Sequence, residues 1–122
     1  MADFAGIAKQ FVDHYYSTFD TNRQNLGGLY RDGSMLTFQS SPHLGVNSIV
    51  EKLVSLPFQK VKHAITALEA QPTSTSGIVI LVTGQLAVDD EQNPLGYSQF
   101  FHLVQDPAGG WFVQNDIFTL AM

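Results

Sequence analysis

After Pro57 the hydrophobic period of this chain changes from helical to two and stays there. Over residues 60–69, Val61, His63, Ile65 and Ala67 alternate with Lys62, Ala64, Thr66 and Leu68, the spacing of a strand. Residues 71–77 are a polar turn, and strands are expected over 78–88, 97–105 and 111–120. Asp106-Pro107-Ala108-Gly109-Gly110 is a hairpin loop between the last two. Residues before Pro57 follow the other period. Phe4, Ile7, Ala8, Phe11, Val12, Tyr15 and Phe19 form one helix face, with Asp3 placed to cap it. Asp20-Thr21-Asn22 ends that helix and can cap a short second one carrying Leu26, Leu29 and Tyr30, although Gly27-Gly28 weakens it. A short strand is expected over 34–38, a turn over 40–42, and a third helix from an Asn47 cap through Ile49, Val50 and Leu53, stopped by Pro57. Helices first and antiparallel strands afterwards define an α+β fold with the helices on one side of a curved sheet.

The strands are apolar on both faces. Ile78, Ile80, Val82 and Leu86 oppose Val79 and Leu81, while Tyr97, Phe101 and Leu103 oppose Phe100 and Val104. Three helices cover one face only, so a second copy is the simplest cover for the other, and a homodimer through the sheet is expected. Composition agrees. The 122 residues suffice for one domain with its own core, but only 14% are charged against 44% hydrophobic, which is low charge for a small monomer.

Eleven acids against six bases give a net charge of −5, with no basic stripe. This argues against nucleic acid or an anionic membrane and favours a basic protein or a cationic ligand. There is no cysteine, which excludes thiolate chemistry and a disulfide frame. No secretory leader is expected from the first residues, and the longest apolar run, residues 78–82, is too short to span a bilayer.

The segment Ser55-Leu56-Pro57-Phe58-Gln59-Lys60 places three consecutive apolar residues at a chain break, where a loop normally lies on the surface. The acidic run Asp89-Asp90-Glu91 comes later. An apolar rim and an acidic cluster together suit a partner that offers an aromatic beside a basic residue.

Several runs carry a resemblance. They are His14-Tyr15-Tyr16 with Phe19-Asp20, Leu26-Gly27 before Leu29-Tyr30, Leu36-Thr37-Phe38, Ile49-Val50-Glu51-Lys52-Leu53, and the whole of Ser55 to Lys60. His63 with Ile65-Thr66, Gln71-Pro72, Gly84-Gln85-Leu86 and Asn115-Asp116-Ile117-Phe118 continue it in order over nearly the whole chain. The sequence resembles the nuclear transport factor 2 family. The resemblance implies a cone-shaped fold of three N-terminal helices on a strongly curved antiparallel sheet, homodimeric through the sheet. It implies a carrier without enzymatic activity or cofactor that binds the Ran GTPase in its GDP state and FxFG-repeat nucleoporins. Such a carrier works between cytoplasm and nucleus, concentrated at the pore of the nuclear envelope.

By the same resemblance, a cavity at the cone mouth receives a Ran aromatic, its wall mapping to Phe38, Leu56, Pro57, Val61, Ile117 and Phe118, with His63 nearby. Rim acids that pair with Ran lysines map to Asp89 and to Asp90 or Glu91. Phe4 maps to an aromatic that helps hold nucleoporin phenylalanines. Gln39 departs from the pattern, since the family usually has Glu there, facing a Ran lysine. A Gln keeps the acceptor and loses the charge.

Blander and rival readings stand beside these. Phe38, Leu56, Pro57 and Phe118 also fit ordinary core positions, Phe4 the first core residue of its helix, and the acidic run a solvated turn. The four histidines, His14, His43, His63 and His102, lack metal-ligand spacing, and neither a phosphate loop nor a nucleophile elbow occurs. A cavity enzyme of isomerase or dehydratase type would use Asp116 and His63, with Tyr15 or Tyr30. Asp116 fits equally a structural carboxylate. A third alternative keeps the fold as a dimerisation scaffold.

Overall fold

Helix α1, Phe4–Thr21, buries Ala8, Phe11, Val12, Tyr15 and Tyr16, the stripe expected from the 3.6-residue period. The Asp3 carboxylate accepts from Gly6 N–H at 3.2 Å, and the Asn22 carboxamide that follows α1 accepts from Gln24 N–H. In this computed structural model, residues 3–57, 59–89 and 93–121 are described. The second helix, Arg23–Leu29, is a 3-10 helix and not an α-helix. Two adjacent glycines lower helix propensity, and the segment is held instead by burial of Leu26.

Strands β1 (Tyr30–Phe38) and β2 (Ser41–Leu44) form a hairpin. Its turn is Gln39-Ser40, both left-handed (φ 50° and 70°), and not residues 40–42. Pro42 therefore lies in a strand, at the sheet edge where its missing N–H costs no ladder bond. Helix α2 (Val46–Val54) starts from Gly45 at φ 88° with no side-chain cap, so Asn47 falls within the first turn and does not cap it. The meander β3 (Val61–Pro72), β4 (Ile78–Val88), β5 (Leu95–Gln105) and β6 (Trp111–Ala121) completes the chain.

The six strands form one open sheet in the order β2-β1-β6-β5-β4-β3. It is mostly antiparallel, not wholly so: β1 and β6 run parallel. The α2 connection lets the meander close on β1 from the far side, which brings β6 alongside β1 in the same direction. Register shifts interrupt β1/β6, β3/β4 and β5/β6. Such bulges bend a sheet and increase its twist.

The shift in β3, between Ile65 and Ala67, alters the side-chain pattern. Before it Val61 and His63 turn toward the helices; after it Leu68 and Ala70 do. Leu68 thus lies on the same face as Val61, opposite to its place in the simple alternation. Gly84 allows this. It pairs with Ile65, and a Cβ there would collide with the Ala64 carbonyl oxygen.

The helix side of the sheet contributes Leu36, Ile78, Ile80, Val82, Leu86, Phe101, Leu103 and Val113 to a continuous core with α1 and α2. The other side carries no helix. It exposes Met35 (39%), Leu44 (62%), Leu81 (52%) and Ile117 (50%), with half-buried Phe100 and Val79 between them. Leu81, Phe100 and Ile117 are cross-strand neighbours, so these residues form a band and not scattered points.

Candidate functional site

One end of the helix-facing side is built of aromatic rings. Phe38 on β1 and Phe118 on β6 are register partners and stack at 4.8 Å with a 9° interplanar angle. Tyr97 stacks on Phe118 from β5 at 5.6 Å. The Lys52 ammonium, in the last turn of α2, lies 5.4 Å above Phe38. Leu56 and Val61 close the same core at 8% exposure each, and Pro57 stays exposed beside them.

His63 sits deeper. Its ring stacks on Tyr16 at 4.0 Å and meets Phe19 and Tyr97 edge-on. Asp20 holds it at two points: one carboxylate oxygen is 2.7 Å from Nδ1, and the other accepts the His63 backbone N–H at 3.1 Å. Asp20 thereby covers a free N–H on an edge strand and fixes the ring plane. Its part is invisible to a reading of motifs, because it lies 43 residues from His63. Tyr16, Tyr97 and Lys52 were missed for the same reason. In sequence they are ordinary core or surface residues.

Asp89 follows β4 with a left-handed backbone (φ 50°). One carboxylate oxygen accepts from both Gln59 N–H (3.0 Å) and Lys60 N–H (2.9 Å). The Lys60 and Gln59 amides hold its carboxyl below the usual carboxylate range. Asp89 therefore pins the segment after Leu56-Pro57 while staying exposed. Gln39 is likewise tied inward: its carboxamide oxygen accepts from Leu120 N–H at 2.7 Å, and its own N–H donates to the Phe118 carbonyl.

Of the sequence-derived wall, Phe38 and Phe118 stack, Leu56 and Val61 belong to the same buried core, and Pro57 is exposed beside Leu56; Gln39 is tied to β6 and Asp89 to residues 59–60. The fold does not bring Ile117 to them. A strand alternates sides, so Ile117, next to Phe118, points to the helix-free face and neighbours Phe100 there. Phe58, Asp90 and Glu91 lie outside the described residues. Phe4 is half-buried at the start of α1 and packs against the core.

Of the residues of the enzyme alternative, Asp116 is joined to Tyr15 and Tyr30, while His63 is held elsewhere by Asp20. Asp116 is buried in its own network, accepting from Tyr30 (2.7 Å), Tyr15 (3.2 Å) and Gln99 (2.8 Å). Gln99 in turn accepts from Tyr16 at 2.9 Å. Burial pushes the Asp116 carboxyl up to about 6, against the opposing effect of the Gln99, Tyr30 and Tyr15 hydrogen bonds. Burial also raises the Tyr15 and Tyr30 hydroxyls well above their ordinary value, so both remain protonated donors. His63 pairs with Asp20 and not with Asp116. Among the described residues no three His, Asp or Glu side chains converge to hold a metal, and no helix is long and apolar enough to cross a membrane.

The nuclear transport factor 2 (NTF2) domain model matches residues 7–120. The chain belongs to the nuclear transport factor 2 family. A Neurospora crassa protein named nuclear transport factor 2 is 67% identical over 98% of this chain and 97% of its own length. The solved nuclear transport factor 2 from Cryptosporidium parvum superposes with a TM-score of 0.93 at 46% identity, covering 98% of this chain and 96% of that one. At 15% identity a putative scytalone dehydratase from Novosphingobium aromaticivorans shares the fold alone, with a TM-score of 0.81 over 100% of this chain and 89% of that one. The cone fold serves enzymes as well as carriers, so the site must decide between them.

Proposed function

We propose that this chain is a non-enzymatic nuclear import carrier for Ran in its GDP state, acting as a homodimer. The observation that carries the reading is near-full-length membership of the nuclear transport factor 2 family, joined to the Phe38–Phe118–Tyr97 ring stack and the exposed Asp89 carboxylate. A Ran aromatic enters beside Phe38, Phe118, Leu56, Pro57 and Val61, above His63. Burying such a side chain contributes about 1.5–3 kcal/mol. Asp89, with Asp90 or Glu91, orients it through lysine pairing. Gln39 offers a hydrogen bond in place of a charge. Selectivity for GDP over GTP resides in Ran, whose switch region presents the aromatic in one nucleotide state only.

The helix-free face, with Leu44, Met35, Ile117, Phe100 and Leu81, is the dimer surface. A depression of about 330 Å³ beside Val79, Leu81 and Phe100 gives the second copy a seat. Phe4 contributes to weak, fast FxFG nucleoporin contacts, of the order of micromolar, about −8 kcal/mol. The carrier then shuttles between cytoplasm and nucleus and concentrates at the pore.

His63 pairs with Asp20 and not with Asp116, so the particular Asp116–His63 pair of the enzyme reading is not formed, and the carrier reading is supported by the family membership. Calorimetry against Ran loaded with GDP and then with GTP tests the reading. Binding to the GDP form alone is expected; binding to neither form refutes it.

A further inference from the structure

β1 stops before β6 does. Phe38 and Phe118 are the last register pair between the two strands, whereas β6 runs on beside β5 as far as Ala121. The chain turns back into β2 at Gln39, whose backbone is left-handed (φ 50°). Past Phe118 the β1 side of β6 therefore has no strand beside it, and the Leu120 N–H points to that side. Gln39 fills the gap twice. Its own N–H donates to the Phe118 carbonyl at 3.0 Å, and its carboxamide oxygen accepts from Leu120 N–H at 2.7 Å. Because Leu120 donates, the carboxamide atom facing it is the oxygen. That side-chain carbonyl stands in for the backbone carbonyl that a longer β1 would have supplied.

The two bonds bracket the stretch of β6 that follows Phe118. The Phe118 ring is the middle one of three: Phe38 stacks on it at 4.8 Å and 9°, Tyr97 at 5.6 Å and 17°. Phe38 belongs to β1 and Tyr97 to β5, so the stack spans three strands. Its spacing depends on how the end of β6 is held against β1. Gln39 is exposed and reaches the stack through the backbone, with its acceptor oxygen turned inward to Leu120.

We propose that Gln39 is a positioning residue for partner binding: it acts through the β6 backbone to keep the Phe118 ring stacked on Phe38, and its contribution depends on its acceptor oxygen and not on a charge. This rests on the carrier reading above, in which a partner aromatic packs beside Phe38 and Phe118. A stack already ordered in the free chain spares the cost of ordering it on binding. Removing the oxygen leaves the Leu120 N–H without its partner and loosens the end of β6 from β1. Affinity then falls by about fivefold, the worth of one such hydrogen bond. A carboxylate of the same reach keeps the bond and the affinity.

Gln39→Met and Gln39→Glu, whose side chains match Gln in reach, test it in the whole chain. Three quantities are read: calorimetric affinity for Ran-GDP, amide hydrogen exchange at Leu120, and Overhauser contacts between the Phe38 and Phe118 rings. Gln39→Met is expected to bind about fivefold more weakly, with Leu120 exchange accelerated and the ring contacts weakened. Gln39→Glu is expected to restore slow exchange, the ring contacts and at least wild-type affinity. Wild-type affinity in Gln39→Met overturns the proposal, as does Gln39→Glu binding as weakly as Gln39→Met. Slow Leu120 exchange in Gln39→Met, or accelerated exchange with unaltered ring contacts, also overturns it. A wild type that does not bind Ran-GDP refutes the carrier reading instead, and the hold on Phe118 is then decided by exchange and ring contacts. Should Gln39→Met fail to fold, the wild type and Gln39→Glu decide. In both, Leu120 must exchange as slowly as the β6 amides paired to β5, and exchange at the rate of an open amide overturns the proposal.

Discussion

Replacing Asp116 by Asn should change how stability depends on pH, and by a calculable amount. The Asp116 carboxyl holds its proton to about pH 6 in the fold, against an ordinary 3.8, because burial disfavours its charge. The folded value is the raised one. The native state therefore binds the proton more tightly than the unfolded chain. Stability from this group is fully present below about pH 3.8 and is lost as pH rises through 6. At 1.36 kcal/mol per pH unit, the loss amounts to about 3 kcal/mol by pH 7.5. Asn cannot ionise, so that dependence disappears in the variant.

The hydrogen bonds set a second, pH-independent term. Asn keeps an oxygen for Gln99 Nε2, but its amide brings two N–H groups where the neutral carboxyl of pH 4 has one O–H, so the Tyr15 and Tyr30 hydroxyls must rotate to accept and the extra N–H lacks a partner. Losing a buried partner costs about 1–3 kcal/mol. Asp116→Asn is then less stable than wild type at pH 4, and by pH 7.5 that deficit is erased or reversed. Urea denaturation at fixed protein concentration, at pH 4, 6 and 7.5, reads it as the difference between the two proteins, so every other titrating group cancels. A difference constant within about 0.5 kcal/mol over that range would refute the argument that burial, and not the three donors, governs this carboxylate.

Asp89→Asn should weaken Ran-GDP binding and flatten the salt dependence of its association rate, while dimerisation and folding stay intact, since Asn retains an oxygen for Gln59 and Lys60 and tolerates a left-handed backbone; unchanged Ran affinity in calorimetry removes Asp89 from the site. Asp89→Ala should weaken binding further, because the segment after Leu56-Pro57 loses both anchors. Phe4→Ala should reduce FxFG peptide binding and spare Ran binding, with a stability loss of about 1–3 kcal/mol from its half-buried packing; joint loss of both ligands would indicate damage to α1 instead. Gly84→Ala should destabilise by about 1–3 kcal/mol, because its Cβ must displace the Ala64 carbonyl; an unchanged denaturation midpoint would mean the β3 bulge yields freely.

How far the sequence disclosed this fold depends on the range of the interactions involved. The stripe of α1 and the alternation of β4 and β5 are local periodicities, and both were legible. The Gln39-Ser40 turn was not, because neither residue is a customary left-handed one. It is enforced by pairing of Gln39 to Phe118 and Leu120, about eighty positions away. The β3 bulge escaped notice because only Gly84, on a different strand, has the room that permits it. The resemblance maps Ile117 to the cavity wall with Phe118, whereas strand parity sets the two on opposite faces and Ile117 in the apolar band. The proposed contact residues Phe38, Leu56, Pro57, Val61 and Phe118 are recognisable only as a family pattern. Composition and spacing could not separate them from core.

Asp20 and Asp89 show why charge is the hardest feature to interpret from the sequence. Asp20 and Asp89 each use a carboxylate oxygen on backbone N–H groups at the margin of β3, at His63 in one case and just before Val61 in the other. Each therefore fixes the local backbone first. A shared carboxylate satisfies amides that an edge strand leaves open, and in the proposed reading the same carboxylate also faces the partner's lysine. Neutralising such a residue and truncating it are consequently different experiments. The first removes charge and keeps the anchor; the second removes both. The gap between Asn and Ala at position 89 measures how much of the affinity comes from a preformed mouth and how much from attraction to the partner.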